Sequence, residues 1–145
     1  MQKITPFLWF DNNAQEAARF YCSVFKDSKI VSQTPMMTEI NLAGQELILF
    51  NGGPNFSFNE ANSLFVSCET QEEVDSYWNA LAEGGTPGQC GWLKDKYGLS
   101  WQIVPSALGS LLGDPDKEKS SRTMQTMLRM SKLDIAKLKQ AHDEI

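Results

Sequence analysis

The sequence predicts an α+β fold built from two βαβββ modules, with further helices at the C-terminal end. Three observations carry this. Two helical stripes share one offset, the strand-like runs around them follow one order, and a Gly/Pro segment separates the copies. In the first stripe Asn13 is an N-cap residue with Glu16 three positions on, and Ala17, Phe20, Tyr21 and Val24 follow on one apolar face. In the second, Thr70 and Glu73 take the cap positions and Val74, Tyr77, Trp78 and Leu81 form the face, each residue 57 positions after its counterpart. A capping pair and a four-residue stripe rarely recur together at one spacing by chance.

Taken in order, the first strand spans Ile4–Phe10, and the first helix follows the Asn13 cap. Lys29–Thr34, Met37–Ala43 and Glu46–Asn51 are β-rich, the last two joined by a tight Gly44-Gln45 turn. Asn51-Gly52-Gly53-Pro54 breaks the pattern and opens a polar connector. The second copy begins with Ser63–Cys68, continues through the Thr70 helix, a Gly-rich edge near Thr86–Cys90 and Gly91–Lys94, and ends with Leu99–Val104 after a Lys96-Tyr97-Gly98 turn. The modules therefore cover 1–53 and 63–105 of a single domain, with a linker at 54–62 and a helical extension at 106–145. In that extension Asp114-Pro115 opens a helix carrying Met124, Met127 and Leu128, and Asp134 caps another with Ile135, Leu138 and Ala141. One helix covers one face of a four-stranded sheet, so two modules are expected to set their sheets side by side around a cavity.

Composition narrows the function. The chain is acidic, with 13 basic and 18 acidic side chains, and all of the excess lies in residues 1–105, which carry 6 basic and 12 acidic groups. Such a surface repels phosphate backbones, so no nucleic-acid partner is expected. No apolar run is long enough to span a bilayer and no basic amphipathic stretch suits its surface, so no membrane partner is expected either. Cys22, Cys68 and Cys90 are odd in number and widely spaced, which fits reduced thiols in the cytoplasm. Cys90 lacks a nearby histidine to serve as base and reads as a small residue at a strand start.

Several motifs carry a family resemblance. Ile4-Thr5-Pro6-Phe7-Leu8-Trp9-Phe10, Ala17-Ala18-Arg19-Phe20-Tyr21, Asn51-Gly52-Gly53-Pro54, Cys90-Gly91-Trp92-Leu93-Lys94-Asp95 and Gly98-Leu99-Ser100-Trp101-Gln102-Ile103-Val104-Pro105 resemble the PhnB-like branch of the vicinal oxygen chelate superfamily. That superfamily includes glyoxalase I, extradiol dioxygenases and bleomycin-resistance proteins, and this branch often carries the name 3-demethylubiquinone-9 3-methyltransferase. The resemblance implies divalent-ion ligands on the first and last strands of each module. Those positions fall here on Thr5, near Ile48, on Ser63 and on Gln102. None supplies the imidazole, thiolate or carboxylate that a catalytic transition-metal site requires, so neither a metal nor another cofactor is expected.

Strand alternation from Thr5 and Ser63 sends Phe7, Trp9 and Phe65 to the same side, with Asn51, Trp92 and Gln102 as further ligand-binding candidates, while Ile4, Leu8 and Phe10 pack under a helix. This aromatic wall with neutral hydrogen-bonding groups suits an uncharged, partly apolar small molecule. The resemblance also implies a homodimer. Two further functions are weighed. One is methyl transfer to a quinone-like ring, although Asp11-Asn12-Asn13-Ala14 after the first strand lacks the Gly-rich turn of a common methyltransferase fold. The other is antibiotic sequestration by binding alone.

Overall fold

A computed structural model of the chain describes residues 2–144. Its elements run β1 Phe7–Phe10, α1 Ala14–Val24, β2 Lys29–Gln33, β3 Met37–Leu42, β4 Gln45–Asn51, β5 Ser63–Cys68, α2 Gln71–Ala82, β6 Thr86–Pro87, β7 Trp92–Lys94 and β8 Ser100–Pro105, then α3 Ala107–Leu112, α4 Lys117–Leu128 and α5 Ile135–Asp143. The chain divides into two compact units, residues 1–58 and 59–145.

The duplication is visible in the hydrogen-bond ladders. The first unit holds a four-stranded sheet of order β1-β4-β3-β2, and the second a four-stranded sheet of order β5-β8-β7-β6. In both, the first strand pairs in parallel with the fourth and the remaining pairs are antiparallel. Phe7 lies opposite Ile48 in one sheet and Phe65 opposite Gln102 in the other, so Ile48 and Gln102 occupy equivalent places.

In the first unit α1 packs on its own sheet. Ala14, Ala17, Ala18 and Tyr21 meet Phe10, Ile40, Leu47 and Leu49 in the core beneath it. Strand β1 is shorter than expected. It starts at Phe7, because Pro6 has no N–H to donate, although the Pro6 carbonyl accepts from Ile48 N at 3.0 Å. Ile4, expected under the helix, consequently lies outside the strand and is 85% exposed. The β3–β4 turn is Ala43-Gly44, one residue earlier than expected. Both residues have positive φ, 51° and 96°, as a two-residue hairpin that follows the strand twist requires.

The two helix starts differ. Thr70 caps α2 as expected, its hydroxyl accepting from Glu73 N, while Glu73 Oε1 accepts from Glu69 N. Asn13 makes no side-chain cap bond. Asn51, at the end of β4, caps α1 instead, with Oδ1 accepting from Ala14 N at 2.8 Å.

In the second unit α2 lies on the sheet with Val74, Trp78 and Leu81 buried against the face that carries Trp101 and Ile103. The C-terminal extension packs in the same unit, forming an apolar cluster of Val104, Leu108, Leu133 and Leu138 with Met127 and Met130 at its margin. Gln71, at the start of α2, ties the extension down by donating to the Leu133 carbonyl at 3.0 Å and accepting from Ile135 N at 2.8 Å. Asp134 caps α5 as expected, but α4 is capped by Asp116 rather than opened at Asp114-Pro115. Short α3 was not foreseen, and Met124 and Leu128 on the α4 stripe are 40% and 56% exposed in the single chain.

The end of α5 is held by charge and hydrogen bonds. Arg122 donates to the carbonyls of Ala141, His142 and Glu144, which lack partners within the helix. His142 lies 2.7 Å from Asp143 and 2.8 Å from Asp114. Hydrogen bonding to Asp143 and then to Asp114 raises its pKa above the ordinary 6.5. Asp114 is held below its ordinary 3.8, chiefly by Asp116 N and then by His142. The linkage has opposite signs at the two groups. The histidine contribution is complete below about pH 6.5 and is lost as pH rises through the raised folded value. The aspartate contribution is complete above about pH 3.8 and is lost as pH falls through the lowered folded value. Amide exchange in α5 should therefore quicken relative to α2, after correction for intrinsic rates, as pH rises above about 6.5 and through the raised His142 value; protection ratios that stay equal as the imidazole titrates would refute the clamp.

Candidate functional site

Each sheet has one face under its helix and one turned away from it, and the strand registers sort the candidates between them. On the first sheet Phe7 and Trp9 lie opposite Ile48 and Phe50, which lie opposite Glu39 and Met37. These residues alternate with the buried set Phe10, Leu47, Leu49, Thr38 and Ile40, so they occupy the face away from α1. The rings form a continuous array. Phe7 and Phe50 are 5.2 Å apart, Phe50 and Trp9 5.1 Å and edge-on, and Trp9 and Phe56 5.0 Å and edge-on. Phe7 is 51% exposed and Phe56 66%.

Trp9 is fixed within the array. Its indole N–H donates to the Gly53 carbonyl at 2.9 Å, and its ring lies so close over Gly52 that a Cβ there would collide with it. The Gly52-Gly53 pair is thus a bed for the indole as well as a chain break. Phe50 and Phe56 were missed from the sequence. Phe50 is two residues from Ile48, so strand alternation already placed it on this face. Phe56 sits in the connector, where no period applies.

Two candidates from the first unit lie elsewhere. Asn51 is on the helix side, with its amide oxygen on Ala14 N and its amide nitrogen donating to the Pro35 carbonyl at 3.0 Å. Thr5 precedes the strand and donates to the Gln2 carbonyl at 3.2 Å. It borders a small cavity of about 160 Å³, together with Val31, Glu39, Glu46 and Ile48.

On the second sheet Trp92, Gln102 and Phe65 lie side by side in register, on the face away from α2, and Lys94, Ser100 and Ser63 form the adjoining row. Gln102 Nε2 donates to Ser63 Oγ at 3.0 Å. Phe65 is 61% exposed. Val104, on the same face, is covered by the C-terminal extension.

The donor set does not fit a divalent transition ion. Ile48 has no donor atom, the Thr5 hydroxyl is engaged by the backbone, and Ser63 and Gln102 satisfy one another with neutral groups. Among the described residues no three His, Cys, Asp or Glu side chains cluster as metal ligands would. The single histidine, His142, is engaged by Asp114 and Asp143 in the extension. Two of the thiols are poorly suited to nucleophilic chemistry, since burial, then Glu73 and Glu69, push Cys68 up to about 11 and burial raises Cys22. Among the described residues no helix is long and apolar enough to cross a membrane.

A family model described as 3-demethylubiquinone-9 3-methyltransferase matches residues 2–104. A solved structure described as a putative 3-demethylubiquinone-9 3-methyltransferase, PhnB protein, from Bacillus cereus is 38% identical, with a TM-score of 0.67 over 72% of this chain and 100% of that one. The fosfomycin resistance protein FosX from Listeria monocytogenes is 16% identical, with a TM-score of 0.54 over 73% of this chain and 93% of that one. A glyoxylase/bleomycin resistance protein/dioxygenase domain from Frankia is 17% identical, with a TM-score of 0.51 over 72% and 92%. These last two are similar in fold alone. No curated protein matches the chain.

Proposed function

Because the chain belongs to the 3-demethylubiquinone-9 3-methyltransferase family, the PhnB-like branch of the vicinal oxygen chelate superfamily, we propose that it binds an uncharged, partly aromatic small molecule without a metal ion. The observation that carries this reading is the ring array of Phe7, Phe50, Trp9 and Phe56 on the uncovered face of the first sheet. Its rings offer apolar edges and faces while the one polar atom among them, the Trp9 indole nitrogen, is already bonded. Taken by itself, the second unit carries a similar set on its own sheet, Phe65 and Trp92 beside the neutral Gln102–Ser63 pair. Covering such rings yields roughly 25 cal/mol per Å² of apolar surface removed from water.

The test is a titration with menadione, a planar uncharged quinone, followed by calorimetry in the presence of EDTA. Saturable binding is expected, weakened about tenfold by Phe7→Ala through lost ring contact. Binding that appears only on adding a divalent ion would overturn the metal-free reading, and absence of binding would overturn the quinone-like ligand. The same titration with S-adenosylmethionine is expected to give no heat, since the segment after β1, Asp11-Asn12-Asn13, offers no Gly-rich cradle for a nucleoside. A cytoplasmic homodimer completes the reading; the exposed Met124 and Leu128 of α4 are surfaces a second copy would cover, and light scattering of the eluted protein gives its mass.

A further inference from the structure

We propose that the second unit carries a separate site for a small organic acid with an apolar body, occupied in the free protein by the carboxylate of Glu60. A groove of about 480 Å³ runs beside β7, walled by Pro87, Cys90, Trp92 and Leu93, with Lys94 and Glu60 at its rim. Its volume falls within the roughly 300–1,000 Å³ of ordinary small-molecule sites, and its walls are apolar except at that rim.

The rim defines the ligand class. The Lys94 ammonium pairs with the Glu60 carboxylate, so this edge already holds a carboxylate, supplied by the turn that precedes β5. Both side chains are partly exposed, at 43% and 61%, and a solvent-exposed ion pair is weak. An incoming carboxylate can therefore replace Glu60 on Lys94 while its apolar body lies against Trp92 and Pro87, a contact that Glu60 itself does not supply.

The wall opposite the rim is held from outside the family match. Cys90 N and Gly91 N donate to the carbonyls of Met130 and Ser131, both at 2.8 Å, and Ser131 Oγ donates to the Gly88 carbonyl at 2.5 Å. Cys90 and Gly91 both have positive φ, 58° and 86°, a conformation that these bonds keep in place. Residues 130 and 131 lie beyond the matched span of 2–104, so this chain sets the groove with its own extension. The proposal goes beyond the uncharged-ligand reading and shares only Trp92 with it.

The test compares 2-naphthoate with neutral 2-naphthamide by calorimetry on the full chain. Glu60→Gln should tighten 2-naphthoate about fivefold by removing the internal competitor, and leave 2-naphthamide within about twofold. Lys94→Met in the Glu60→Gln background should bring 2-naphthoate down to the affinity of 2-naphthamide. Both side chains are at the surface, and circular dichroism melts of each variant confirm folding. Unchanged 2-naphthoate affinity in Glu60→Gln, an equal shift of both ligands, or no binding of 2-naphthoate to any variant would overturn the proposal. Menadione binding, read in the same variants, separates this outcome from the fate of the uncharged-ligand reading.

Discussion

Replacing Asp95 by alanine is expected to destabilise the protein by about 4 kcal/mol, read as a fall in the urea midpoint of the second unit. Asp95 is 3% exposed and its carboxylate organises the β7–β8 connection. Oδ1 accepts from Tyr97 N at 2.8 Å and Leu99 N at 3.1 Å, and Oδ2 accepts from the Trp101 indole N–H at 2.8 Å. Alanine would remove the acceptor that three donors share, and each buried bond lost costs about 1–3 kcal/mol, with less than full additivity. Asparagine keeps the shape and one acceptor oxygen but turns an N–H₂ group toward a donor, so Asp95→Asn should cost about half as much. A loss under about 1 kcal/mol for Asp95→Ala would mean that water or a shifted loop replaces the carboxylate. The effect bears on function because β8 carries Gln102 and Ser100, and Asp95 fixes the loop through which β8 begins.

The module repeat was legible because each of its signals depends on local residue order. The Thr70 cap, the two apolar helix stripes and the strand order all follow from side-chain type at fixed spacing. The face carrying Phe7 and Trp9 followed from alternation alone. What was not legible depended on partners distant in sequence. Asn13 and Glu16 match the capping pattern as well as Thr70 and Glu73 do, yet the first helix is capped from β4, some 37 residues away. The packing of the extension was open in the same way, since its stripes required burial without specifying where. Gln71 fixes one point of it, reaching the Leu133 carbonyl across 62 residues, while Met124 and Leu128 stay exposed.

At the four positions where the resemblance implies metal ligands, residue identity and side-chain bonding are separate observations. Residue identities at Thr5, Ile48, Ser63 and Gln102 already lack strong ligands. The structure adds that the hydroxyl of Thr5 and the Ser63–Gln102 pair have partners of their own. On the first sheet the aromatic rows are then the chemically available surface, and that is why the proposed ligand reading rests on Phe7, Phe50, Trp9 and Phe56.

Asn51 gives the second large expected effect and separates a structural role from a ligand role. Ile48 and Asn51 are three residues apart on one strand, so they cannot share a face, and Ile48 holds the uncovered one. Asn51 is 9% exposed; its oxygen caps α1 at Ala14 N, its nitrogen donates to the Pro35 carbonyl, and its own N–H donates to the Met36 carbonyl at 2.8 Å. One side chain therefore joins the helix start, the β2–β3 turn and the end of β4. Asn51→Ala should cost about 2 kcal/mol, combining a lost cap with the lost bond to the Pro35 carbonyl. Asn51→Asp keeps an acceptor at the positive end of the helix but sets an oxygen against the Pro35 carbonyl, so it should fall between alanine and the parent. In the folded fraction at low temperature, menadione affinity should change less than twofold in either variant, roughly 0.4 kcal/mol, because the amide does not face the rings. The opposite pattern, an unchanged urea midpoint with affinity lowered tenfold or more, would make Asn51 a ligand group and would place the bound molecule on the helix side of the sheet.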